Sequence, residues 1–271
     1  MPTRADNLDL ARSLARTAEA EILPRFRSVA SARKPDGTEV TEADREAERV
    51  MRDRLADERP THAVLGEEFG DTGPDDATHR WILDPVDGTA GFTIGVPLFG
   101  TLVALLEDSV PTVGVIHFPA LNETVYAARG EGCWFRTEKD KQRVRVDPVD
   151  ALDDATVTTT ALHSSDVTAT ADQTPYRLTD LVRQAGKFRF VTDCLQHALV
   201  ARGRTHAAVD TLMHPWDIAA LVPCVREAGG VALPLDPSAD DVVHGGSLLT
   251  ASTEALAHEV RRLLHPAGTI D

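Results

Sequence analysis

With 271 residues, 42% hydrophobic and 26% charged, the chain is long enough for one large domain or two closely packed layers around a substantial core. Its formal net charge of −15 argues against a nucleic-acid partner, because phosphate backbones are bound by clustered Lys and Arg. No apolar run is long enough for a membrane span, residues 1–20 lack the order of a signal peptide, and the three cysteines form neither an even disulfide set nor a zinc motif. We therefore expect a cytoplasmic protein without a membrane partner.

The chain is predicted to begin with two amphipathic helices. In residues 7–22 the apolar side chains recur at helical spacing, and a second helix follows Thr41 and stops before Pro60. The intervening residues 33–40 contain a Pro and an Asp-Gly pair and are predicted to form a loop.

The segment TEAD at the start of the second helix has two interpretations. Asp44 lies three residues after Thr41, which is the spacing of a capping box and suits the helix dipole. In the second interpretation Asp44 also points into an active site. The segment by itself favours the cap.

Residues 62–70, HAVLGEEFG, predict a short strand that is followed directly by Glu67 and Glu68. Two acids at the end of a strand are a candidate edge of a metal site, because hard divalent cations prefer oxygen ligands. A solvated loop is the alternative, and one of the two Glu side chains is expected to be only that. Residues 71–79 are predicted to form a polar, flexible connection.

The rest of the chain is organised around residues 81–106, WILDPVDGTAGFTIGVPLFGTLVALL. An apolar strand ends at Asp84, and Pro85 cannot continue a hydrogen-bonded ladder, so a turn is predicted there. Asp87 follows in the same turn, and Gly88-Thr89 offers backbone N–H groups to an anion. Two carboxylates this close repel each other unless a cation lies between them, but an ordinary acidic turn has the same composition. Further carboxylates that converge on this turn would favour the metal site over an ordinary acidic turn.

Strand-like runs with short connections follow and predict an antiparallel sheet. These strands are residues 98–106, 112–117, 124–128 and 133–136. A charged stretch over 139–150 ends this half, so we expect two domains, residues 1–147 and residues 148–271.

The second half alternates strands with helices, which is typical of a partly parallel α/β layer. Its predicted strands are 155–161, 188–191, 206–209 and 248–251, and its predicted helices are 175–185, 194–202, 216–228 and 253–264. Pro223 should bend the third helix. Asp217 begins that helix, where the dipole alone would favour a carboxylate.

No HExxH, GxSxG, P-loop or GxGxxG motif occurs, so zinc hydrolase, serine hydrolase and nucleotide-binding chemistry are not indicated. Carboxylate chemistry with Mg²⁺ is the interpretation that the acids favour. Four motifs, VTEAD at 40–44, GEE at 66–68, WILDPVDGT at 81–89 and PWDIAA at 215–220, resemble the inositol-monophosphatase superfamily. GVPLFGTLVALL, TDC at 192–194 and VDTLMHPWDIAALVPCVREAGG look most like its histidinol-phosphatase branch, whereas residues 90–92 are closer to the bisphosphate nucleotidase branch.

The resemblance implies an α-β-α-β-α sandwich with an antiparallel N-terminal sheet and a mostly parallel C-terminal sheet, a homodimer and sensitivity to lithium. It implies that two or three Mg²⁺ ions are bound by the side chains of Glu67, Asp84, Asp87 and Asp217 and by the carbonyl of Val86. Asp44 and Thr89, together with Glu67, would activate water, and the N–H groups of Gly88 and Thr89 would hold phosphate. The positions that would contact the substrate are Val86, Asp87, Gly88, Thr89, Asp193, Asp210 and Asp217.

The function that follows from the resemblance is hydrolysis of L-histidinol phosphate to L-histidinol and phosphate, a step of histidine biosynthesis, by metal-activated water. Asp193 and Asp210 would then be acceptors for the ammonium group of the substrate, which an inositol lacks. The alternative for Asp193 is a helix cap. The alternative substrates are inositol 1-phosphate and other small phosphomonoesters or bisphosphate nucleotides. A catalytically silent interaction protein on the same fold is disfavoured, because a binding module has no need to hold five repelling acids together.

Overall fold

Two helices that begin at capping threonines form the outer layer of the computed structural model, which describes residues 2–28, 30–33, 39–169 and 176–265. Helix α1 spans Arg4–Ile22 and α2 spans Glu42–Glu58, and each has a capping box, with Thr3 and Thr41 as the N-caps. Both predicted helices are confirmed. None of the helices within the described ranges is both long enough and apolar enough to cross a membrane.

The loop predicted over residues 33–40 is wrong at both ends. Strands β1 (Ser31–Arg33) and β2 (Glu39–Thr41) pair in antiparallel fashion, so these ends are the arms of a small hairpin. Residues 34–38 lie outside the described residues. Three-residue strands this polar carry no alternating apolar signal, because β1 is exposed throughout and the two buried residues of β2, Val40 and Thr41, are adjacent.

The larger sheet has eight strands in the order β10-β9-β8-β7-β6-β5-β3-β4. Their bounds are Ala63–Gly66 for β3, Gly70–Thr72 for β4, His79–Asp87 for β5, Gly100–Glu107 for β6, Val110–Phe118 for β7, Glu123–Ala128 for β8, Gly132–Arg136 for β9 and Lys141–Val144 for β10. From β5 to β10 all neighbours are antiparallel, which confirms the predicted sheet. The parallel pair β3–β5 brings the ends of these two strands to the same edge. Strands β4 and β10 were not predicted, because both are short polar edge strands.

The turn predicted at Pro85 is wrong, because β5 continues to Asp87. The pairing of β5 with β6 changes register between Asp84 and Asp87, which marks a bulge. A bulge residue needs no ladder hydrogen bond, so Pro85 costs nothing there. Its carbonyl accepts a hydrogen bond from Thr101 Oγ1 at 2.8 Å. Asp84 and Asp87 therefore both lie at the end of β5, where the bulge makes the backbone irregular.

The smaller sheet has five strands in the order β12-β11-β13-β15-β14. Their bounds are Thr156–Thr159 for β11, Lys187–Phe190 for β12, Ala207–Asp210 for β13, Val231–Leu233 for β14 and Leu248–Ala251 for β15. Strand β11 is parallel to β12 and β13, but β15 is antiparallel to both β13 and β14. The sheet is therefore mixed rather than mostly parallel. The connection over residues 234–247 contains no helix, and parallel neighbours require a crossover.

The remaining helices are α3 (Thr89–Thr93), α4 (Leu178–Gln184), α5 (Asp193–Ala201), α6 (Pro215–Ile218), α7 (Leu221–Glu227) and α8 (Glu254–Leu264). The helix predicted over 216–228 is thus two helices rather than one bent helix. Pro223 has no N–H, so the carbonyl of Ala219 has no helical partner, and the break falls just before α7.

Three apolar clusters separate five layers of the molecule. One lies between α1, α2 and the larger sheet, a second lies between the two sheets around α5 and α7, and a third lies between the smaller sheet and α4 and α8. A Cβ atom at Gly114 would lie 2.3 Å from the carbonyl oxygen of Ala220, so glycine permits the close contact of β7 with α7. The layers form the predicted α-β-α-β-α sandwich. The division into two domains at residue 147 stays a prediction.

Candidate active site

Three carboxylates converge where β5 ends against α6. Among the described residues, Asp84, Asp87 and Asp217 form a group whose oxygens lie within 4.8 Å of one another. Asp84 and Asp87 come from the bulged end of β5, and Asp217 comes from the first turn of α6, where the Pro215 ring fixes the helix start. The structure therefore brings together acids that are 133 residues apart in the chain, since 217 minus 84 is 133. We call this group the carboxylate trio.

Backbone N–H groups hold two members of the trio by one oxygen each. The N–H of Cys194, in the first turn of α5, donates to Asp87 Oδ2 at 2.7 Å. The N–H of His214 donates to Asp217 Oδ2 at 2.7 Å. Oδ1 of Asp84 is buried and has no hydrogen-bond donor among the described residues. A buried carboxylate oxygen without a donor, inside a set of hard oxygen ligands, fits a divalent cation.

Burial and mutual repulsion shift the pKa of every member of the trio upwards. For Asp84 burial is the first cause of a pKa well above the usual range, and the charge of Glu67 is the second. Burial also raises the pKa of Asp87, followed by the charge of Asp193. Asp217 reaches a pKa of about 7, again mainly because of burial. Without a cation, the site disfavours its own ionised form.

This shift predicts how the metal-free protein depends on pH. A raised folded-state pKa means that the folded protein binds more protons than the unfolded chain, so stability falls as pH rises from about 4 to about 7. At Asp217 alone the loss is on the order of 4 kcal/mol at most. Thermal unfolding in EDTA should therefore show a lower Tm at pH 8 than at pH 5, and Mg²⁺ should raise the Tm more at pH 8. Asp217→Asn should reduce both differences, and an unchanged pH profile in that variant would contradict the prediction.

Glu67 lies outside the trio but close to it. The strand β3 ends at Gly66, and the N–H of Glu67 donates to the carbonyl of Leu83 on β5 at 3.2 Å. The parallel pairing of β3 with β5 thus places Glu67 beside Asp84, whose pKa its charge raises. The predicted strand that ends before Glu67 is confirmed, and the trio contains three of the four predicted carboxylate ligands. The role of Glu67 as a ligand stays a prediction.

Asp44 and Thr89 form a hydrogen-bonded pair next to the trio. Thr89 Oγ1 lies 3.1 Å from Asp44 Oδ1 and 2.9 Å from the carbonyl oxygen of Val86, and it can donate to one of them at a time. Asp44 Oδ2 accepts from the N–H of Thr41 at 2.8 Å and from its hydroxyl at 2.5 Å. Both interpretations of TEAD are therefore compatible, because one oxygen caps α2 and the other faces Thr89. Burial raises the pKa of Asp44, and the bonds from Thr41 and Thr89 oppose this shift.

A cavity of about 240 Å³ opens beside the trio. Its lining residues are Asp87, Thr160, Ala161, His163, Asp193, Asp210, Thr211, Leu212, Met213, His214 and Asp217. A larger cleft of about 520 Å³ lies elsewhere, between α1 and the loops around Asn122 and Thr137, and none of the predicted site residues lines it. The smaller cavity is the candidate substrate site, because four carboxylates of the predicted set meet there.

Asp193 does not cap α5, so that alternative is wrong. The N-cap is Thr192, and Asp193 is the first helical residue, with a φ of 44° in the left-handed region. Its side chain packs against Gly88, where an added Cβ atom would lie 2.5 Å from Asp193 Oδ2. Gly88 has a φ of 89°, so glycine is needed there for both its backbone and its neighbour. Burial raises the pKa of Asp193, and the charge of Asp210 adds to this shift.

Asp210 is held by two buried polar residues, Gln196 and His197, that were not predicted from the sequence. Gln196 Nε2 donates to Asp210 Oδ2 at 2.6 Å, and His197 Nε2 lies 3.1 Å from the same oxygen. His197 Nδ1 contacts Thr250 Oγ1 at 2.8 Å, so the ring is fixed at both nitrogens. The sequence signal that could have indicated these two residues is a Gln-His pair inside a predicted helix that is otherwise mostly apolar. Such a pair is buried only if it has partners.

Known proteins resemble this chain over nearly its whole length. The sequence profile of the inositol monophosphatase family matches residues 5–265. A histidinol-phosphatase from Mycobacterium tuberculosis is 40% identical over 258 residues, covering 94% of this chain and 95% of that protein. An inositol-1-monophosphatase from Caulobacter vibrioides is 34% identical over 226 residues, covering 83% of this chain and 86% of that protein. A solved inositol monophosphatase from Zymomonas mobilis has a TM-score of 0.82 at 27% identity, covering 97% of this chain and 99% of that chain.

The layered fold, the carboxylate trio and these relatives define a phosphoric monoester hydrolase that acts on a small phosphorylated substrate. The chain belongs to the inositol monophosphatase family, and the resemblance seen in its four motifs is confirmed. This is a family of metal-dependent phosphatases, and the acidic cluster fits that dependence.

Proposed function

We propose that this protein is a Mg²⁺-dependent phosphatase that hydrolyses L-histidinol phosphate to L-histidinol and phosphate, as a step of histidine biosynthesis. The observation that carries the proposal is that the carboxylate trio and the cavity share Asp87 and Asp217, and that the cavity adds Asp193 and Asp210. A phosphate dianion would be repelled by so many acids unless cations lay between them. The histidinol-phosphatase of M. tuberculosis, 40% identical, supports the substrate.

The ligands of two or three Mg²⁺ ions would be the carboxylates of Glu67, Asp84, Asp87 and Asp217 and the carbonyl of Val86. The chemistry supplied there is neutralisation of the phosphate and of the leaving alkoxide, with a water made acidic enough to attack at neutral pH. Thr89 and Asp44 would take up the proton that this water loses. The hydroxyl of Thr89 can accept a hydrogen bond from the water while it donates its own proton to Asp44 Oδ1, 3.1 Å away.

The backbone at the end of β5 would orient the phosphate. Gly88 has the left-handed conformation, and Thr89 begins α3, so the first N–H groups of this turn have no carbonyl partner within the helix. These N–H groups are suited to bind phosphate oxygens. No covalent enzyme intermediate is required, so positioning and charge neutralisation supply most of the acceleration.

The far part of the substrate would be recognised by Asp193 and Asp210. Histidinol phosphate carries an ammonium group, whereas an inositol offers only hydroxyls, and a charge-assisted hydrogen bond is roughly twice as strong as a neutral one. Gln196 and His197 hold Asp210 by its Oδ2 atom, and Asp210 lines the cavity. Asp193 is held against Gly88 and lines the same cavity.

Asp193→Asn is therefore expected to lower kcat/KM for histidinol phosphate at least tenfold, about 1.4 kcal/mol of transition-state stabilisation. Activity on inositol 1-phosphate should change much less, because an amide still bonds a hydroxyl. Steady-state kinetics on both substrates measure this difference, with Asp150→Asn, an exposed acid, as the matched control. Equal losses on the two substrates would contradict the assignment of Asp193 to the ammonium group.

Phosphate release from a panel of phosphomonoesters, with and without Mg²⁺, tests the proposal as a whole. We expect histidinol phosphate to have the highest kcat/KM in the panel. Preference for inositol 1-phosphate by the unsubstituted protein would support the second candidate, which the relative from C. vibrioides at 34% identity favours. Preference for a bisphosphate nucleotide would favour the third, and no release from any compound would favour the catalytically silent alternative.

We further propose that the protein is a homodimer, inhibited by lithium, in a reducing cytoplasm. The dimer and the lithium sensitivity follow from the family resemblance, and exposed apolar side chains such as Ile94 (79%) and Phe190 (62%) are available to a subunit contact. Cys133, Cys194 and Cys224 are free and buried, in keeping with a reducing compartment. Sedimentation velocity reports the oligomeric state, and a monomer at micromolar concentration would contradict the dimer.

A further inference from the structure

A second buried carboxylate on α2, that of Glu48, binds the backbone of the turn that carries Glu67. Glu48 follows Asp44 by one helical turn, and both side chains are 0% exposed. Its two oxygens accept from the backbone N–H of Glu68 at 2.8 Å and of Phe69 at 3.2 Å. Glu48 therefore holds the backbone of the turn that carries Glu67.

Arg52 completes this arrangement from the next turn of α2. Its Nε donates to Glu48 Oε1 at 2.7 Å, with side chains that are 14% and 0% exposed. Its two terminal nitrogens donate to the Thr72 hydroxyl at 2.8 Å and to the carbonyl of Gly70 at 2.5 Å. The turn after β3 and strand β4 are thus both tied to α2. The pair carries no net charge, so it adds no repulsion to the neighbouring acids.

The end of β3 closes directly on this pair. A Cβ atom at Gly66 would lie 2.0 Å from Glu48 Oε1 and 2.8 Å from Arg52 Nη2, so any larger residue at this position would have to displace the pair. Glu67 is then fixed on both sides, since its own N–H donates to Leu83 and the next N–H donates to Glu48. A buried ion pair is a poor device for stability alone, because apolar residues of equal volume often stabilise as well. It is well suited to fixing a backbone that must not shift.

We propose that Glu48 and Arg52 are positioning residues that set Glu67 relative to Asp84 and so tune the Mg²⁺ affinity of the site. Helix α2 then positions two segments of the site. Asp44 accepts a hydrogen bond from Thr89, and Glu48 accepts one from the turn after β3. The inference rests on the proposed function, in which Glu67 and Asp84 are ligands. Residues that orient metal ligands from outside the coordination shell typically change metal affinity by about 10–100-fold when replaced.

The test is Mg²⁺ binding to the Glu48→Gln protein, measured by calorimetry and as the Mg²⁺-induced rise in Tm. The amide keeps the size of Glu48 but has only one acceptor oxygen, so its NH₂ group must face a donor, either the N–H of Glu68 or the N–H of Phe69 together with Nε of Arg52. We expect the Kd for Mg²⁺ to rise at least tenfold, while KM at saturating Mg²⁺ stays near its original value. Gly66→Ala, which displaces the same pair from the strand side, should act in the same direction. Glu46→Gln, which breaks the exposed pair with Arg49 on the same helix, is the matched control and should change neither quantity.

A purely structural role gives a different result. If Glu48→Gln and Gly66→Ala lower the Tm of the metal-free protein but leave the Kd for Mg²⁺ unchanged, the positioning role is overturned. If the Glu48→Gln protein fails to fold, Arg52→Lys replaces it in the test. Lysine keeps the positive charge but lacks the guanidinium group, which donates to Glu48, Thr72 and Gly70 at once. This variant must weaken Mg²⁺ binding for the inference to stand. Failure of the unsubstituted protein to bind Mg²⁺ would instead overturn the proposed function, and this inference with it.

Discussion

Replacement of Asp84 by asparagine is expected to lower kcat by on the order of 10³-fold or more, because a bound cation supplies several kcal/mol of charge stabilisation that depends on its ligands. The metal-free variant should nevertheless be at least as stable as the unsubstituted protein. Asp84 is 1% exposed, and after burial itself the charges of four neighbouring carboxylates raise its pKa. An amide of the same shape removes one repelling charge from this cluster. Loss of function together with retained or increased stability is the signature of a ligand held for chemistry.

Phosphate release at saturating Mg²⁺ and thermal unfolding in EDTA measure the two halves of this prediction. Chelation should remove the activity of the unsubstituted protein, and added Mg²⁺ should restore it. Asp57→Asn, an exposed acid on α2, is the matched control and should change neither activity nor Tm. Full turnover in excess EDTA would refute the metal mechanism, and an active Asp84→Asn enzyme would refute the role of Asp84 as a ligand.

The second large effect is expected at Thr89. Thr89→Ala removes the hydroxyl that lies 3.1 Å from Asp44 Oδ1, while it changes little volume and leaves the N–H groups of the turn in place. We expect kcat to fall by roughly 10²-fold or more, the usual scale of general acid–base catalysis. KM should change little, because the backbone N–H groups that we propose to bind the phosphate remain.

Asp44→Asn should reduce kcat to a similar extent, since the amide is a much weaker proton acceptor. The double variant Thr89→Ala with Asp44→Asn should be little worse than either single variant, because the two residues act as one unit. Thr93→Ala on the same short helix removes a hydroxyl that contacts Glu39 at 2.6 Å instead, so it controls for changes in α3. If both single variants keep near-full kcat, Asp44 is only the cap of its helix.

Circular dichroism and Tm separate these effects from loss of the cap. Asp44 Oδ2 accepts from the N–H of Thr41, and the side-chain oxygen of asparagine can keep this bond. The Asp44→Asn protein should therefore retain α2 while losing turnover. A parallel loss of helicity and activity would assign the effect to the fold.

Local patterns in the sequence determined much of this protein. The spacing of apolar residues and the Thr-x-x-Asp cap define α2, and alternation with short turns defines the antiparallel strands β6 to β9. Acids at strand ends marked Glu67, Asp84 and Asp87, and an acid at a helix start marked Asp217. These signals are readable because each depends on residues a few positions apart, where helix and strand geometry fix which side chains are neighbours.

Only the tertiary structure decided how the site is built. Pro85 became part of a bulge within β5 instead of a turn, because β6 pairs on both sides of it. Asp193 turned from a possible cap into a neighbour of Gly88, which lies 105 positions earlier in the chain, since 193 minus 88 is 105. The N–H of Cys194 reached Asp87, and Glu48 reached the turn after β3. Each of these contacts joins segments that are distant in the chain, and the packing of layers against one another brings them together.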